Sequence, residues 1–149
     1  MLQKIDLKVD DCMIMPKNAR ALAIGPSSAG KSTFFLNCIR YRNLIFPQEF
    51  TSIIYVNPNA QHFLPHDEEY IEKLRTAAEP VHLEVLGSIP TIDTLLSYVP
   101  DSSKSLLVLF DDMNEVLFNS QDVSELYVRI SSHFNVSVLG EFSKKKGSK

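Results

Sequence analysis

The fold of this chain depends on one stretch, residues 25–33, which read Gly25-Pro26-Ser27-Ser28-Ala29-Gly30-Lys31-Ser32-Thr33. This stretch matches the pattern G-x-x-x-x-G-K-[ST], in which backbone N–H groups form a nest around nucleotide phosphates. The apolar residues 21–24 before it predict a short buried strand, and residues 34–41 after it predict a helix. Phosphate-binding loops occur in this strand–loop–helix setting. The stretch therefore predicts a nucleotide site formed by all nine residues, the alternative being a plain Gly/Ser turn before a helix.

The residue types of the loop indicate which part of a nucleotide each one would contact. Gly25 and Gly30 allow backbone angles and a close approach that a Cβ atom would block. Lys31 is predicted as a catalytic residue because its ammonium group can neutralise the β- and γ-phosphates. Ser32 is predicted as a metal ligand because its hydroxyl is placed to bind the Mg²⁺ that the nucleotide carries.

A second informative stretch ends in two acidic residues, Leu106-Leu107-Val108-Leu109-Phe110-Asp111-Asp112. Five continuous apolar residues predict a strand that is buried on both faces, and ligands of parallel sheets gather at the carboxyl ends of strands. We expect Asp111 to hold Mg²⁺ through water, opposite Ser32. Asp112 is predicted to orient or deprotonate an attacking water, with Glu115 as a further catalytic candidate. The alternative is that both aspartates only solvate the end of a strand.

The remaining pattern alternates strands with helices. Further strands are predicted at residues 52–56 and 81–86 and from residue 136 onward, and further helices at residues 67–78, 91–98 and 122–132. This alternation predicts an α/β fold, a three-layer α/β/α sandwich with a mainly parallel sheet and helices on both faces. A length of 149 residues fits a single domain.

Composition limits the other function classes. The formal net charge is −3, so nucleic-acid binding would need a local basic patch or an oligomeric channel. No apolar run approaches the roughly 18 residues of a membrane span, and the first residues lack the apolar core of a signal peptide. With only Cys12 and Cys38, no disulfide framework is indicated. We therefore expect an intracellular protein that is not secreted, without a membrane partner, its compartment being undetermined.

The histidines give a weaker signal. His62 and His66 are four residues apart, but the intervening Pro65 argues against one helix that presents both to a metal ion. His133 follows two serines near the end of a predicted helix, where a capping role is the simpler interpretation. Arg129 lies on the same predicted helix, and it is either a surface residue or an arginine finger for a neighbouring subunit.

Four stretches occur in an order that is typical of one family: residues 25–34, residues 53–55, Leu107-Val108-Leu109-Phe110-Asp111-Asp112-Met113-Asn114-Glu115 and Ser131-Ser132-His133-Phe134-Asn135-Val136-Ser137-Val138. The chain thereby resembles the DNA-packaging ATPases of large eukaryotic DNA viruses and of Polinton-type transposons, which belong to the FtsK–HerA branch of P-loop NTPases. The resemblance implies ATP and Mg²⁺ as cofactors and a homo-oligomeric ring. It also implies double-stranded DNA and capsid proteins as partners.

The chain departs from this family after Leu139. In the family, the strand that begins here at Val136 continues to a polar sensor, whereas Gly140-Glu141 predicts a break in this sequence. We accordingly expect a C-terminally truncated ATPase domain at residues 1–139, with an incomplete last strand, and a basic disordered tail at residues 140–149. Such a chain would bind ATP but hydrolyse it inefficiently.

Two other functions stay open. A small nucleotide or nucleoside kinase would suit the phosphate loop, although the arginine-rich lid of such enzymes is not evident after Asp111. A degenerate, non-catalytic remnant that at most binds nucleotide would suit the early end of the last strand.

Overall fold

The strand that carries the two aspartates lies in the middle of a parallel sheet. The computed structural model describes residues 15–25, 31–101, 103–113, 121–125 and 135–143. The strands are β1 (Arg20–Gly25), β2 (Ser52–Val56), β3 (Leu83–Leu86), β4 (Leu106–Met113) and β5 (Val136–Ser143). Their order across the sheet is β1-β5-β4-β2-β3, and each of the four neighbouring pairs is parallel. The predicted parallel sheet is therefore confirmed.

Helices connect these strands. They are α1 (Lys31–Arg40), α2 (Arg42–Ile45), α3 (Pro65–Ala78), α4 (Ile92–Leu96) and α5 (Gln121–Glu125), with a 3₁₀ turn at Ala60–His62. α3 starts two residues before its predicted start because Pro65 occupies its first turn, where proline needs no hydrogen-bond donor. No described helix is both long enough and apolar enough to cross a membrane.

Each face of the sheet has its own apolar core. On one face, Phe35 and Ile39 of α1 and Leu74 of α3 pack with Tyr55 and Leu109 of the sheet. On the other face, the core contains Ile54, Val108 and Phe110 of the sheet, Leu95 of α4 and Val123 of α5. All ten side chains are at most 1% exposed. Two helical layers therefore enclose the sheet, as the sequence predicted for an α/β/α sandwich.

The predicted end of the last strand is wrong. β5 does not stop at Leu139 but continues to Ser143, and it lies between β1 and β4. Gly140 pairs with Leu22 on one side and with Phe110 on the other, and Glu141 pairs with Ala23. Backbone hydrogen bonds from both neighbours stabilise this segment although a glycine and a glutamate fit a strand poorly. Residues 140–143 thus belong to the sheet and not to the predicted tail.

Other predicted elements are only partly described. β1 is the outermost of the five described strands on one side of the sheet, beside β5. The predicted helix 122–132 is represented by α5, and its residues 126–132 lie outside the described residues, as do residues 144–149 of the predicted tail.

Candidate functional site

The two ends of the phosphate-loop sequence, Gly25 and Lys31, lie at the same edge of the sheet as the two aspartates. Because all five described strands are parallel, their carboxyl ends lie along the same edge. β1 reaches this edge at Gly25, and α1 begins only six residues later at Lys31. β4 reaches the same edge at Asp111 and Asp112. The topology therefore brings the end of β1, where the phosphate-loop sequence begins, and the two aspartates to the same edge of the sheet.

One strand separates these two stretches. β5 lies between β1 and β4, and two neighbouring spacings in a sheet amount to roughly 10 Å. The two stretches therefore lie close to each other along the carboxyl ends of the strands, with the end of β5 between them.

Several predicted site residues lie outside the described part of the chain. They are Pro26, Ser27, Ser28, Ala29 and Gly30 of the loop, together with Glu115, Arg129 and His133. The backbone of Lys31 and Ser32 forms the start of α1, whereas their side chains also fall outside the description. Thr33 is exposed on the first turn of α1.

A bulge in β4 gives the two aspartates different exposure to solvent. The register of β4 against β5 shifts between Phe110 and Met113, so that Asp111 and Asp112 together lie opposite Glu141. Asp112 has a φ angle of 55°, in the left-handed region that aspartate tolerates better than most residues. Asp111 is half-buried, whereas Asp112 is exposed. Bulges of this kind redirect side chains next to functional sites.

The Asp111 carboxylate is held from two directions. The hydroxyl of Tyr55 on β2 donates to its Oδ2 atom, and the backbone N–H of Asp112 donates to its Oδ1 atom at 2.8 Å. The Nδ2 group of Asn57 donates in turn to the Tyr55 hydroxyl at 3.2 Å. Burial, and to a smaller extent the charge of Asp111, raises the pKa of Tyr55 far above its ordinary value. Tyr55 is thus a hydrogen-bond donor throughout the physiological range.

The Asp112 carboxylate has a partner in the loop that follows β2. The Nδ2 group of Asn59 donates to its Oδ2 atom. The backbone N–H of Asn59 donates to Oδ1 of Asn57 at 2.9 Å, which closes a turn just beyond the strand. Both aspartates of β4 are therefore hydrogen-bonded to residues of β2 or of the loop that follows it.

A third carboxylate lies at the bulge. Glu141 of β5 is 2% exposed, beside Ala23 of β1 on one side and opposite the two aspartates on the other. Glu141 follows Leu139 by two residues on β5, and Leu139 packs in the core with Phe35 and Ile39 of α1, so the carboxylate lies on the sheet face that α1 covers. A buried carboxylate is rare among glutamates and typical of functional or tightly paired sites.

The buried thiol of Cys38 gives a testable pH dependence. Burial, with a smaller contribution from Glu141, raises the pKa of Cys38 from 9.0 to about 11. The folded state therefore keeps a thiol proton that the unfolded chain loses above pH 9. The contribution of the neutral thiol to the free energy of unfolding is present below pH 9 and is lost as pH rises through 11. Between pH 8 and 10.5 we expect wild type to lose about 2 kcal/mol more unfolding free energy than Cys38→Ala, measured by urea denaturation. Equal losses in the two proteins would contradict this assignment.

The two histidines that are four residues apart, His62 and His66, lie in different elements. His62 lies in the 3₁₀ turn and His66 in the first turn of α3, where its Nε2 atom is 3.3 Å from Oδ1 of Asp67. Among the described residues, no group of three or more His, Cys, Asp or Glu side chains is arranged to hold a metal ion. Mg²⁺ that arrives with a nucleotide needs only one or two protein ligands, so this observation does not bear on Asp111.

Sequence reasoning missed Tyr55, Asn57, Asn59 and Glu141. The first three could have been found, because they end or directly follow a predicted strand and thus belong to the same edge as Asp111. Glu141 gave no such signal, since Gly140-Glu141 looks like the end of a strand.

Neither protein families nor curated proteins provide a relative of this chain. None of the protein families compared with the chain matches it. None of the curated proteins compared with it is significantly similar.

Proposed function

We propose that this chain is a P-loop NTPase domain that binds ATP with Mg²⁺ and hydrolyses it. One observation carries the proposal: a loop with the phosphate-binding sequence connects β1 to α1 at the sheet edge where Asp111 is held, one strand away. Asp111 lies on the sheet face that α1 covers, since its partner Tyr55 packs against Phe35 of α1.

The proposed roles follow from chemistry and position. The backbone of residues 25–33 would surround the phosphates, Lys31 would neutralise them, and Ser32 would bind Mg²⁺. Asp111 would bind a water of the metal's shell. Asp112 or Glu115 would orient or deprotonate the attacking water, as general bases do.

The residues around Asp111 fit a hydrated Mg²⁺. Each of its carboxylate oxygens accepts one hydrogen bond, from Tyr55 or from the Asp112 amide, and each oxygen has a further lone pair for a metal-bound water. Mg²⁺ keeps several waters and prefers carboxylate and phosphate oxygens. When bound, the ion would polarise the transferred phosphoryl group and neutralise its charge.

The polymer partners rest on the resemblance alone. We propose double-stranded DNA and capsid proteins as partners, and a homo-oligomeric ring as the assembly, because the packaging ATPases that the chain resembles act in this way. The longer β5 corrects the predicted break at Gly140 but supplies none of the polar sensor of those ATPases, so inefficient hydrolysis stays a prediction.

Lys31→Ala tests the nucleotide site. We expect it to weaken the binding of a fluorescent ATP analogue by at least tenfold, because the loop loses its only lysine charge against the phosphates. Lys104→Ala is the matched control, since this exposed lysine precedes β4 at the opposite edge of the sheet. Wild type that binds ATP no better than Lys31→Ala would overturn the proposal.

The same proteins separate the possible activities. ATP loss without an added acceptor, further stimulated by duplex DNA, would support a packaging-type ATPase. Turnover that requires a nucleoside or nucleotide acceptor would instead indicate a kinase. Binding without any turnover would indicate a non-catalytic nucleotide-binding domain.

A further inference from the structure

The aspartate proposed to face Mg²⁺ is held by a side chain whose own position is fixed. Tyr55 is 1% exposed, and its ring makes edge-on contacts with Phe35 of α1 and with Tyr70 of α3, each with centroids 6.5 Å apart. These contacts define the ring plane and therefore the position of the hydroxyl. Tyr55 thus links the helix that follows the phosphate loop to the carboxylate of Asp111.

The direction of the hydrogen bond is also fixed. Asn57 donates its Nδ2 group to the Tyr55 hydroxyl, so the hydroxyl proton is left to point toward Asp111. Asn57 is itself 7% exposed and is anchored through its Oδ1 atom by the backbone N–H of Asn59. Donors therefore run in one sense, from Asn59 to Asn57 to Tyr55 to Asp111.

We propose that Tyr55 and Asn57 are positioning residues that orient the Asp111 carboxylate for the water shell of Mg²⁺, an inference that rests on the proposed nucleotide site. A carboxylate that is already held in one orientation loses little rotational freedom when it binds the metal's water. Partners that contact a direct metal ligand change metal affinity or activity by 10- to 100-fold when they are removed. Because Asp111 is proposed to reach the metal through water, we expect its partners to act at the lower end of this range. The Asp112 amide holds the other oxygen through the backbone and is unaffected by side-chain substitution.

Tyr55→Phe tests this role because it removes one hydroxyl and keeps the ring that packs between α1 and α3. We expect the free Mg²⁺ concentration that gives half-maximal strengthening of fluorescent-analogue binding to rise about tenfold, and the Mg²⁺ concentration for half-maximal ATP turnover to rise with it. Binding of the fluorescent ATP analogue in EDTA should stay within twofold of wild type, because no metal is involved. A purely structural role would lower the melting temperature and leave the Mg²⁺ requirement unchanged.

Tyr98→Phe is the matched control. The Tyr98 hydroxyl also donates to a carboxylate, that of Glu84 on β3, but Tyr98 packs against the core on the opposite face of the sheet. This variant should lose a similar hydrogen bond and keep the wild-type Mg²⁺ requirement. Equal requirements in wild type, Tyr98→Phe and Tyr55→Phe would overturn the inference.

Asn57→Ser provides a second route to the same result. Serine can still accept the Asn59 N–H, but it is too short to donate to Tyr55. We expect a rise in the Mg²⁺ requirement of about threefold, in the same direction as for Tyr55→Phe. If Tyr55→Phe does not fold, an unchanged requirement in Asn57→Ser overturns the inference. Wild type that fails to bind ATP at all would instead refute the proposed function, so the two failures are distinguishable.

Discussion

Asp111→Asn is expected to lower the turnover number for ATP by about 100- to 1,000-fold, because the Mg²⁺ that neutralises transition-state charge is no longer held in place. The substitution removes the negative charge proposed to hold the metal's water. It keeps the shape of the side chain and an oxygen that can accept from Tyr55 or from the Asp112 amide. Steady-state hydrolysis at saturating Mg²⁺ and ATP measures the effect. The fluorescent analogue should still bind in EDTA, since the phosphate loop is intact.

Asp93→Asn is the matched control for this prediction. Asp93 is exposed in the first turn of α4, which packs on the opposite face of the sheet. Its substitution should therefore leave turnover unchanged. Asp112→Asn separates the two roles at the bulge. If Asp112 acts on the attacking water, its substitution lowers turnover without changing the Mg²⁺ requirement, whereas Asp111→Asn changes both. Turnover of Asp111→Asn within fivefold of Asp93→Asn would refute the metal role.

The central strands could be predicted because burial dictates their sequence. Two segments, residues 106–110 of β4 and residues 53–56 of β2, have no side chain that is more than 1% exposed. A strand that is covered on both faces needs apolar residues at every position, so each segment is a continuous apolar run. The end of β5 could not be predicted in this way. Its residues 140–143 are held by two neighbouring strands, and strand order is a property of the whole sheet that local composition does not contain.

The candidate site divides along the same line. The position of Asp111 follows from a general rule about the carboxyl ends of parallel strands. The identity of its partner does not, because Tyr55 reaches Asp111 only if β2 is the neighbour of β4, in the register that pairs Tyr55 with Leu109. The bulge at Asp111 and Asp112 likewise depends on strand pairing, because it arises where two residues of β4 lie opposite the single residue Glu141 of β5. Sequence thus predicted that Asp111 and Asp112 reach this edge, whereas the order and register of the strands decide which residues contact them.

The helix that follows the phosphate loop is anchored at its far end by Arg42. The Nη1 atom of Arg42 donates to the carbonyl oxygens of Ile39 and Ala77 at 2.8 and 2.9 Å. Its Nη2 atom donates to those of Ala78 and Glu79 at 2.8 and 3.3 Å. One guanidinium group therefore caps the C-terminal ends of α1 and α3 together, where helix dipoles favour a cation.

Arg42→Ala is accordingly expected to lower the free energy of unfolding by about 2–3 kcal/mol, since four carbonyl groups lose a charged donor. For a chain of this size the melting temperature should fall by roughly 5–10 °C. Arg75→Ala is the matched control on α3, because its exposed ion pair with Glu72 at 2.9 Å contributes only about 0.5 kcal/mol. Urea denaturation of both variants measures the difference. Because Tyr55 packs between α1 and α3, Arg42→Ala should also raise the Mg²⁺ requirement. Equal stability of Arg42→Ala and Arg75→Ala would show that Arg42 does not join these helices.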